Sequence, residues 1–279
     1  IEVGRRLARH GVTGAVDATP GPGRVDAIRA AQSEGVLPQR ITVLADVDEP
    51  GGRIELGPLK LMLDERDLPS PSELADRFSA ARGRGRAVAV HCTTRAELAV
   101  LLAACARSRP PAGSRIEHGA IIPEDAIGSI RDAGFAVVTQ PGFLVARGDR
   151  YAAEVDPEDL PSLYRVGSLL AAGIPVAFAS DAPYGPDSPW EILHAATARR
   201  SVAGRTLGAD ERVSAHTALD AFLSPAGEPG GPARRVDIGG CADLAVLAPD
   251  TVIGTPENPV VATVIDGRVV YRRRLPEES

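Results

Sequence analysis

The sequence is poor in cysteine. It has three cysteines in 279 residues, an odd number without the spacing of a metal finger. This argues against a disulfide framework and places the chain in a reducing compartment, which we expect to be the cytoplasm. Long apolar runs are also missing, so no membrane-spanning helix and no signal peptide are predicted. The chain begins with Ile1 rather than methionine, and we expect its true start to lie upstream.

An excess of positive charge is missing as well. The formal net charge is -6, and the arginines are scattered along the chain apart from the run at 272–274. Such a composition offers no basic surface for nucleic acid, and no segment of it is built for a membrane. A small-molecule substrate is therefore the expected partner. A homo-oligomer is compatible with this composition.

Lysine is almost absent. Lysine and arginine together number 31, and the single lysine, Lys60, stands in the apolar segment GPLKLML. A lysine buried in a strand has a lowered pKa and becomes nucleophilic, which permits Schiff-base formation or reaction with carbon dioxide to an anionic carbamate. The alternative is a lysine at a strand start whose stem is buried and whose ammonium reaches water. The residues alone leave both interpretations open.

The sequence does contain a series of apolar segments of strand length that alternate mostly with helical patterns. Hydrophobic residues make up 44% of the 279 residues, which is enough for a large core. The predicted strands are residues 11–17, 41–46, 59–63, 87–91, 115–118, 135–139 and 174–179. This alternation predicts an α/β fold with a parallel sheet, and seven such units favour a closed TIM-type (β/α) barrel over an open sheet.

Helix starts and linkers divide the chain. Ser70 with Glu73 and Thr94 with Glu97 are predicted capping boxes, and a third helix is predicted to start after Ser188. Residues 47–57 are predicted to be an irregular link and residues 142–161 a long polar loop. We predict a barrel domain at 1–223, a Gly/Pro-rich linker at 224–240 and a small β unit at 241–275, in which residues 243–247 and 260–271 pair as antiparallel strands.

Polar residues stand at the ends of several predicted strands. His91 and His118 are each the last residue of a strand, and Asp181 follows the strand at 174–179. The carboxyl ends of barrel strands converge on one mouth, so we expect these side chains and Lys60 to point inward and meet around a metal ion. Taken singly, each histidine is more often a core residue bonded to a carbonyl, and Asp181 is more often a turn cap. The three other histidines lie on or beside helical patterns and are not included.

The order of five segments resembles strands four to eight of the metal-dependent amidohydrolase superfamily: KLML, AVHC, RIEHG, VVTQP and FASDAP. The likeness is greatest to amidohydrolase family 3, the group that includes N-substituted formamide deformylase-like proteins. The segment GVTGAVDAT resembles that family's second strand, and GGCADLAVLAPD with VIDGRVVY resembles its C-terminal β-sandwich. The resemblance covers nearly the whole chain and implies strands two to eight of the barrel, with strand one missing.

The resemblance implies a role for each of the four polar residues. Lys60 is the expected carbamylated bridging ligand, His91 and His118 are expected metal ligands, and Asp181 is the expected ligand and general base. One or two divalent ions are implied, with zinc as the first choice. The superfamily's His-x-His at the end of strand one has no counterpart, because no two of the five histidines are two residues apart. Either residues before Ile1 supply it, or the active site of this chain is incomplete.

Three functions are compatible with these residues. The first is hydrolysis of an amide or amide-like C–N bond in a small molecule, with a metal-activated water as nucleophile and Asp181 as proton acceptor. The second is deamination of a cyclic amidine by the same ligands, and the third is a non-catalytic barrel that binds without turnover. Five residues allow an anionic or aromatic substrate group but are interpreted as solvated loop residues: Arg147, Arg150, Tyr151, Tyr164 and Trp190.

Overall fold

A computed structural model describes residues 1–22 and 24–273 of the chain. The strands of this part are β1 Gly14–Asp17, β2 Arg40–Val43, β3 Ile54–Leu56, β4 Leu59–Leu61, β5 Val88–Cys92, β6 Arg115–His118, β7 Ala136–Thr139, β8 Val176–Phe178, β9 Leu244–Leu247, β10 Val260–Ile265 and β11 Arg268–Arg272. Its α-helices are α1 Glu2–Arg9, α2 Val25–Ser33, α3 Pro71–Gly83, α4 Arg95–Arg107, α5 Ile127–Ala133, α6 Gly142–Glu154, α7 Gly167–Ala171, α8 Pro189–Ala198 and α9 Ala215–Leu223.

Two parts of the sequence predictions fall outside the described residues. These are the last arginine of the run at 272–274 and the end, residues 274–275, of the predicted C-terminal unit. Within the described residues, no helix combines the length and the apolar character that crossing a bilayer requires.

The first eight strands form two parallel sheets. One sheet has the order β1-β2-β3 and the other the order β4-β5-β6-β7-β8. The Lys60 amide donates to the Leu44 carbonyl at 3.0 Å, so the start of the second sheet is bonded to the chain that leaves β2. The predicted α/β class with parallel strands is therefore confirmed. Among the described residues, β1 and β8 are each paired on one side only, and closure of a barrel stays a prediction.

Two connecting segments differ from the predictions. Residues 47–57 contain β3, which pairs in parallel with β2 through Ile41 and Ile54, so this link is not irregular throughout. Residues 142–161 are not a loop, because they contain the 13-residue helix α6. The helix start gives no signal in the sequence, since it has no side-chain cap, but Phe143 and Leu144 in its first turn are buried. Burial of this apolar turn stabilises α6 where a cap is absent.

The predicted helix starts agree better with the structure. The hydroxyls of Ser70 and Thr94 each accept a bond from the amide three residues later, and Glu73 and Glu97 bond back to the cap amides, so both capping boxes are confirmed. Helix α8 begins after Ser188 as expected, although the Ser188 side chain makes no capping bond. Both boxes place their helices at fixed points after β4 and β5.

The main core lies between the five-stranded sheet and the helices. Alternate strand residues Leu61, Val90 and Ile116 pack there against helix residues such as Phe78 and Leu101. Side chains alternate between the two faces of a strand, so the residues between these positions lie on the opposite face. We call this opposite face the inner face. It carries the polar residues, namely Lys60, His91, Arg115 and Glu117.

The last three strands form a separate antiparallel sheet of order β11-β10-β9, with the pairing that the sequence predicts. The sheet packs on α1, where the Thr263 hydroxyl donates to the Ala8 carbonyl at 2.6 Å. Arg40 of β2 forms ion pairs with Asp243 and Asp266 of the same unit. Residues 224–240 have no regular secondary structure. The domain boundaries at 223 and 241 stay predictions.

Candidate metal centre

His91 and Lys60 are neighbours on the inner face. In the parallel register Lys60 is paired with Ala89, so His91 lies two residues further along the adjacent strand on the same face. The imidazole is half-buried, and burial lowers its pKa to about 4, with further lowering by the electrostatic effect of His118 and Lys60 nearby. His91 is therefore neutral near pH 7, which is the state that binds metal ions.

His118 lies beside His91 because its backbone departs from regular strand geometry. Its neighbours Ile116 and Glu117 follow the normal alternation, which on its own would turn His118 toward the helices. The backbone of His118 instead has φ 73°, in the left-handed region that non-glycine residues rarely adopt. The ring of His118 lies edge-on to that of His91, with centroids 4.5 Å apart. Strained backbone of this kind occurs mainly at functional sites.

Gln140 orients the buried His118 ring. Its amide nitrogen donates to the Val138 carbonyl at 3.3 Å, which leaves its carbonyl oxygen to accept from Nδ1 of His118 at 2.8 Å. Because Nδ1 then carries the proton, the Nε2 lone pair of His118 is available as a ligand. Burial lowers the pKa of His118, as does Lys60, so this ring is also neutral. Our sequence analysis did not single out Gln140, although its place directly after β7 was a usable signal.

Replacing Gln140 by leucine is expected to weaken zinc binding about 10- to 100-fold, because a second partner that fixes the ligating tautomer contributes this much in metal sites. Competition against a chromophoric zinc chelator measures the affinity. Gln140→Glu is the matched control, since its carboxylate also accepts from Nδ1 and is expected to keep the affinity within a few-fold. Equal weakening by both substitutions would contradict this role for the amide.

Lys60 lies where its ammonium is disfavoured. Burial lowers the pKa of Lys60, the Arg115 charge lowers it further, and Glu117 and Asp181 oppose the shift. The described residues include no carboxylate within ion-pair distance of the Lys60 ammonium. A half-buried, easily deprotonated amine is the form that reacts with carbon dioxide.

Arg115 and Glu117 form a buried ion pair beside Lys60. The Arg115 Nε donates to the Glu117 carboxylate at 2.7 Å, and both side chains are at most 5% exposed. Glu117 is in register with His91 on the neighbouring strand. The pair was missed in the sequence because Arg115 and Glu117 were taken only as part of the strand that ends in His118. Their opposite charges nearly cancel, so Lys60 does not face an uncompensated carboxylate.

Asp181 begins the loop after β8. Its backbone has φ 50°, and its carbonyl accepts from the Tyr184 amide at 2.8 Å to close a tight turn. The half-buried carboxyl has a raised pKa because of burial, and the charges of Lys60 and Arg147 oppose that rise. The His91 ring also acts against the rise in the pKa of Asp181. A carboxylate of raised pKa is a better proton acceptor than an exposed aspartate.

The four predicted residues are not equally close. His91 and His118 are in ring contact. Among the described residues, the one group of three or more His, Cys, Asp or Glu with all ligand atoms within 4.8 Å is Cys241, Asp243 and Asp266 in the small sheet. His91, His118 and Asp181 are therefore more widely spaced than that, and the group in the small sheet is already bonded to Arg40.

Other histidine, cysteine and aromatic residues have structural roles or are buried. The Nδ1 of His194 bonds to the Gly254 carbonyl at 2.8 Å. Cys92 packs in the main core, where burial raises the pKa of its thiol. The interpretation of Tyr164 as a solvated loop residue is wrong, because it is buried against Phe143. Trp190 is also buried, with its indole N–H donating to the His10 carbonyl at 3.3 Å.

The inner-face residues fit a divalent metal ion by their chemistry. Two neutral imidazoles and a carboxylate are donors that zinc prefers, and a carbamate on Lys60 would add a further oxygen ligand. The orientation of His118 by Gln140 is the second contact that ligating histidines normally have.

Comparison with known proteins agrees with this chemistry. The sequence model of the amidohydrolase family matches residues 3–271. The chain belongs to the amidohydrolase family. Among amidohydrolase-like proteins, N-substituted formamide deformylase of Arthrobacter pascens is 32% identical over 217 residues, which cover 73% of this chain and 40% of the deformylase. The resemblance found in the sequence is thus confirmed, and the chain spans less than half the length of that relative.

Solved structures share the amidohydrolase fold at low identity. An uncharacterised metal-dependent hydrolase from Pyrococcus horikoshii superposes with a TM-score of 0.67 at 22% identity, over 78% of this chain and 52% of that one. A mutant atrazine chlorohydrolase from Arthrobacter aurescens, in complex with zinc and atraton, superposes with a TM-score of 0.59 at 17% identity, over 100% of this chain and 74% of that one. Guanine deaminase from E. coli superposes with a TM-score of 0.59 at 15% identity, over 98% of this chain and 75% of that one.

Proposed function

We propose that the protein is a metal-dependent hydrolase that cleaves an amide-type C–N bond of a small molecule. The observation that carries the proposal is the pair of neutral imidazoles beside the single lysine. Gln140 bonds to Nδ1 of His118 and leaves Nε2 free. The centroid of the His118 ring lies 4.5 Å from the centroid of the His91 ring. Membership of the amidohydrolase family supports hydrolysis as the reaction type.

The proposed metal ligands are Lys60 as a carbamate, His91, His118 and Asp181, with one or two zinc ions. The proposal includes a closed (β/α) barrel in which β1, β2 and β4 to β8 are strands two to eight, with β3 as an additional strand. The superfamily's strand one and its His-x-His have no counterpart in this sequence, and the assay below tests a form that carries them. We also propose a cytoplasmic protein, on the basis of the three cysteines, which form no disulfide in the described residues.

Each side chain has a separate role in the proposed reaction. A bound divalent metal supplies a Lewis acid that polarises the substrate carbonyl and lowers the pKa of water. Asp181 accepts a proton from the attacking water and delivers it to the leaving nitrogen, which departs as the amine. Its raised pKa suits the first step, because a carboxylate of higher pKa accepts a proton more readily than an exposed aspartate does. Gln140 keeps the proton of His118 on Nδ1 throughout.

The proposed substrates are N-substituted formamides and related small amides. The 32% identity to a deformylase of this specificity supports the class. Deamination of a cyclic amidine is the alternative reaction, and the likeness to guanine deaminase, at 15% identity, supports only the shared fold. A non-catalytic barrel is the other alternative, and the absence of His-x-His from this sequence is the observation that favours it.

Formate release from N-methyl-, N-butyl- and N-benzylformamide tests the proposal. We expect zinc-loaded protein to release formate and the matching amine in equal amounts, because hydrolysis of the formyl C–N bond yields both. A chelator should reduce the rate to background, and added zinc should restore it. Two forms are compared, the 279-residue chain and the same chain extended upstream by a segment that would supply strand one.

The alternatives have distinct outcomes in the same assay. Ammonia released from guanine, without formate from any formamide, would favour the deaminase. Zinc bound by both forms, with neither formate nor ammonia produced by either, would overturn the hydrolase and favour the non-catalytic barrel.

A further inference from the structure

Helix α6 lies directly against the loop that carries Asp181. A Cβ added to Gly185 would come within 2.9 Å of the Phe143 ring and 2.5 Å of the Ser180 carbonyl oxygen. A Cβ added to Gly142 would likewise lie 2.7 Å from Pro186. Only glycine permits such close approach, so the first turn of α6 and the 180–186 loop form one packed unit. The start of α6 is therefore held against the loop that carries Asp181.

Arg147 occupies the next turn of α6 and reaches over the Asp181 loop. Its guanidinium carbon is 4.4 Å from the centroid of the Phe143 ring, and one Nη donates to the Tyr184 carbonyl at 2.8 Å. Tyr184 in turn closes the tight turn that begins at Asp181. The ring and the carbonyl hold the guanidinium in place and leave most of its five N–H donors unused.

The Arg147 charge has no carboxylate partner among the described residues. None of their carboxylates lies within ion-pair distance of Arg147, whereas Arg150, three residues later on the same helix, pairs with Glu154 at 2.7 Å. Arg147 is half-buried and Arg150 is exposed. Because Arg147 bonds to the turn that begins at Asp181, its guanidinium lies at the edge of the candidate metal centre.

We propose that Arg147 binds a carboxylate of the substrate, so that the preferred substrates are N-acyl compounds with a carboxylate close to the amide. The inference rests on the proposed hydrolase function and specifies its substrate class. A guanidinium with free parallel N–H groups matches a carboxylate in a two-point contact that an ammonium does not reproduce. The stacking on Phe143 fixes the plane of the guanidinium and so reduces the entropy that this contact would cost.

A purely structural role for Arg147 makes a different prediction. If the side chain only holds the Tyr184 carbonyl, its loss disturbs the Asp181 loop and lowers kcat/KM for every substrate by the same factor. If it binds a carboxylate, its loss lowers kcat/KM selectively for acidic substrates. The ratio of kcat/KM for an acid to kcat/KM for its neutral amide therefore separates the two roles.

The test uses N-formylglycine and N-formylglycinamide, which differ only in the charge of one group. The zinc-loaded protein is compared with Arg147→Met, which keeps an apolar stem over Phe143, with Arg147→Lys, and with the surface control Arg150→Met. We expect the acid-to-amide ratio of kcat/KM to fall at least about tenfold in Arg147→Met, to recover only partly in Arg147→Lys, and to stay unchanged in Arg150→Met. An equal fall for both probes would overturn the inference.

Equilibrium binding separates this inference from the proposed function. Calorimetry with the same probes measures affinity whether or not formate is released, so absence of turnover overturns hydrolysis of these probes and leaves the Arg147 comparison intact. We expect N-formylglycine to bind the wild type about tenfold more tightly than it binds Arg147→Met. Equal affinity of the acid for both proteins, or no binding of the acid to the wild type, would overturn the role of Arg147.

Discussion

Replacing Asp181 by asparagine is expected to lower kcat/KM for an N-substituted formamide by about 10²–10⁴, which is the usual contribution of a general acid–base residue. Asparagine keeps the size of the side chain and an oxygen that can contact a metal, but it does not accept the proton of the attacking water. Steady-state formate release by the zinc-loaded protein measures the effect. A parallel zinc determination shows whether the loss is one of chemistry or of metal.

The matched control for Asp181 lies in the same loop. Asp187 forms a surface ion pair with Arg6, and exposed pairs of this kind contribute little to the free energy of folding. Asp187→Asn is therefore expected to keep near wild-type activity. The limb of the pH profile that reports deprotonation of the base should disappear in Asp181→Asn and persist in Asp187→Asn. Similar rates for the two variants would show that Asp181 is not the proton acceptor.

Replacing Lys60 by alanine is expected to remove most of the bound zinc. Loss of a residue that only orients a ligand costs about 10- to 100-fold in metal affinity, and loss of a bridging ligand should cost more. Elemental analysis of protein grown with zinc and bicarbonate measures the metal content. Because Lys60 is the single lysine, a ¹³C carbamate signal from labelled bicarbonate that disappears in Lys60→Ala belongs to this side chain and not to the terminal amine.

Folding has to be separated from metal binding in this variant. The inner-face ion pair of Arg115 and Glu117 stays complete without Lys60, so we expect Lys60→Ala to remain folded by circular dichroism. Lys60→Arg retains a positive charge but forms no carbamate under these conditions, and it should lose zinc as alanine does. Unchanged zinc in both variants would refute the carbamate ligand.

Sequence patterns predicted the regular elements where local and tertiary preferences agree. Both capping boxes are present because side chain and backbone satisfy each other within one turn, without help from distant residues. The strands of the five-stranded sheet were visible as apolar runs because their sheet is covered by helices. These features are decided by neighbours in the chain.

Helix α6 shows where local patterns are insufficient. It has no side-chain cap and carries Gly148 in its interior, both of which argue against a helix. The structure explains the glycine, because a Cβ at Gly148 would lie 2.9 Å from the Ser201 side chain. Strand β3 is a similar case, since its three residues are held by pairing with β2 rather than by their own pattern. Both elements depend on packing partners distant in sequence.

The amino-acid sequence by itself determined the family, the parallel α/β class, the place of Lys60 within a strand and the places of His91 and Asp181 at strand ends, because two-residue alternation and turn chemistry are local. Only the tertiary structure decided how His118 is used. Alternation turns this residue toward the helices, and a left-handed backbone, with the ring bonded to Gln140 directly after the next strand, brings the ring to His91. The tertiary structure also placed Arg147 on the loop that carries Asp181, because its bond to the Tyr184 carbonyl requires α6 to pack on a loop more than thirty residues away.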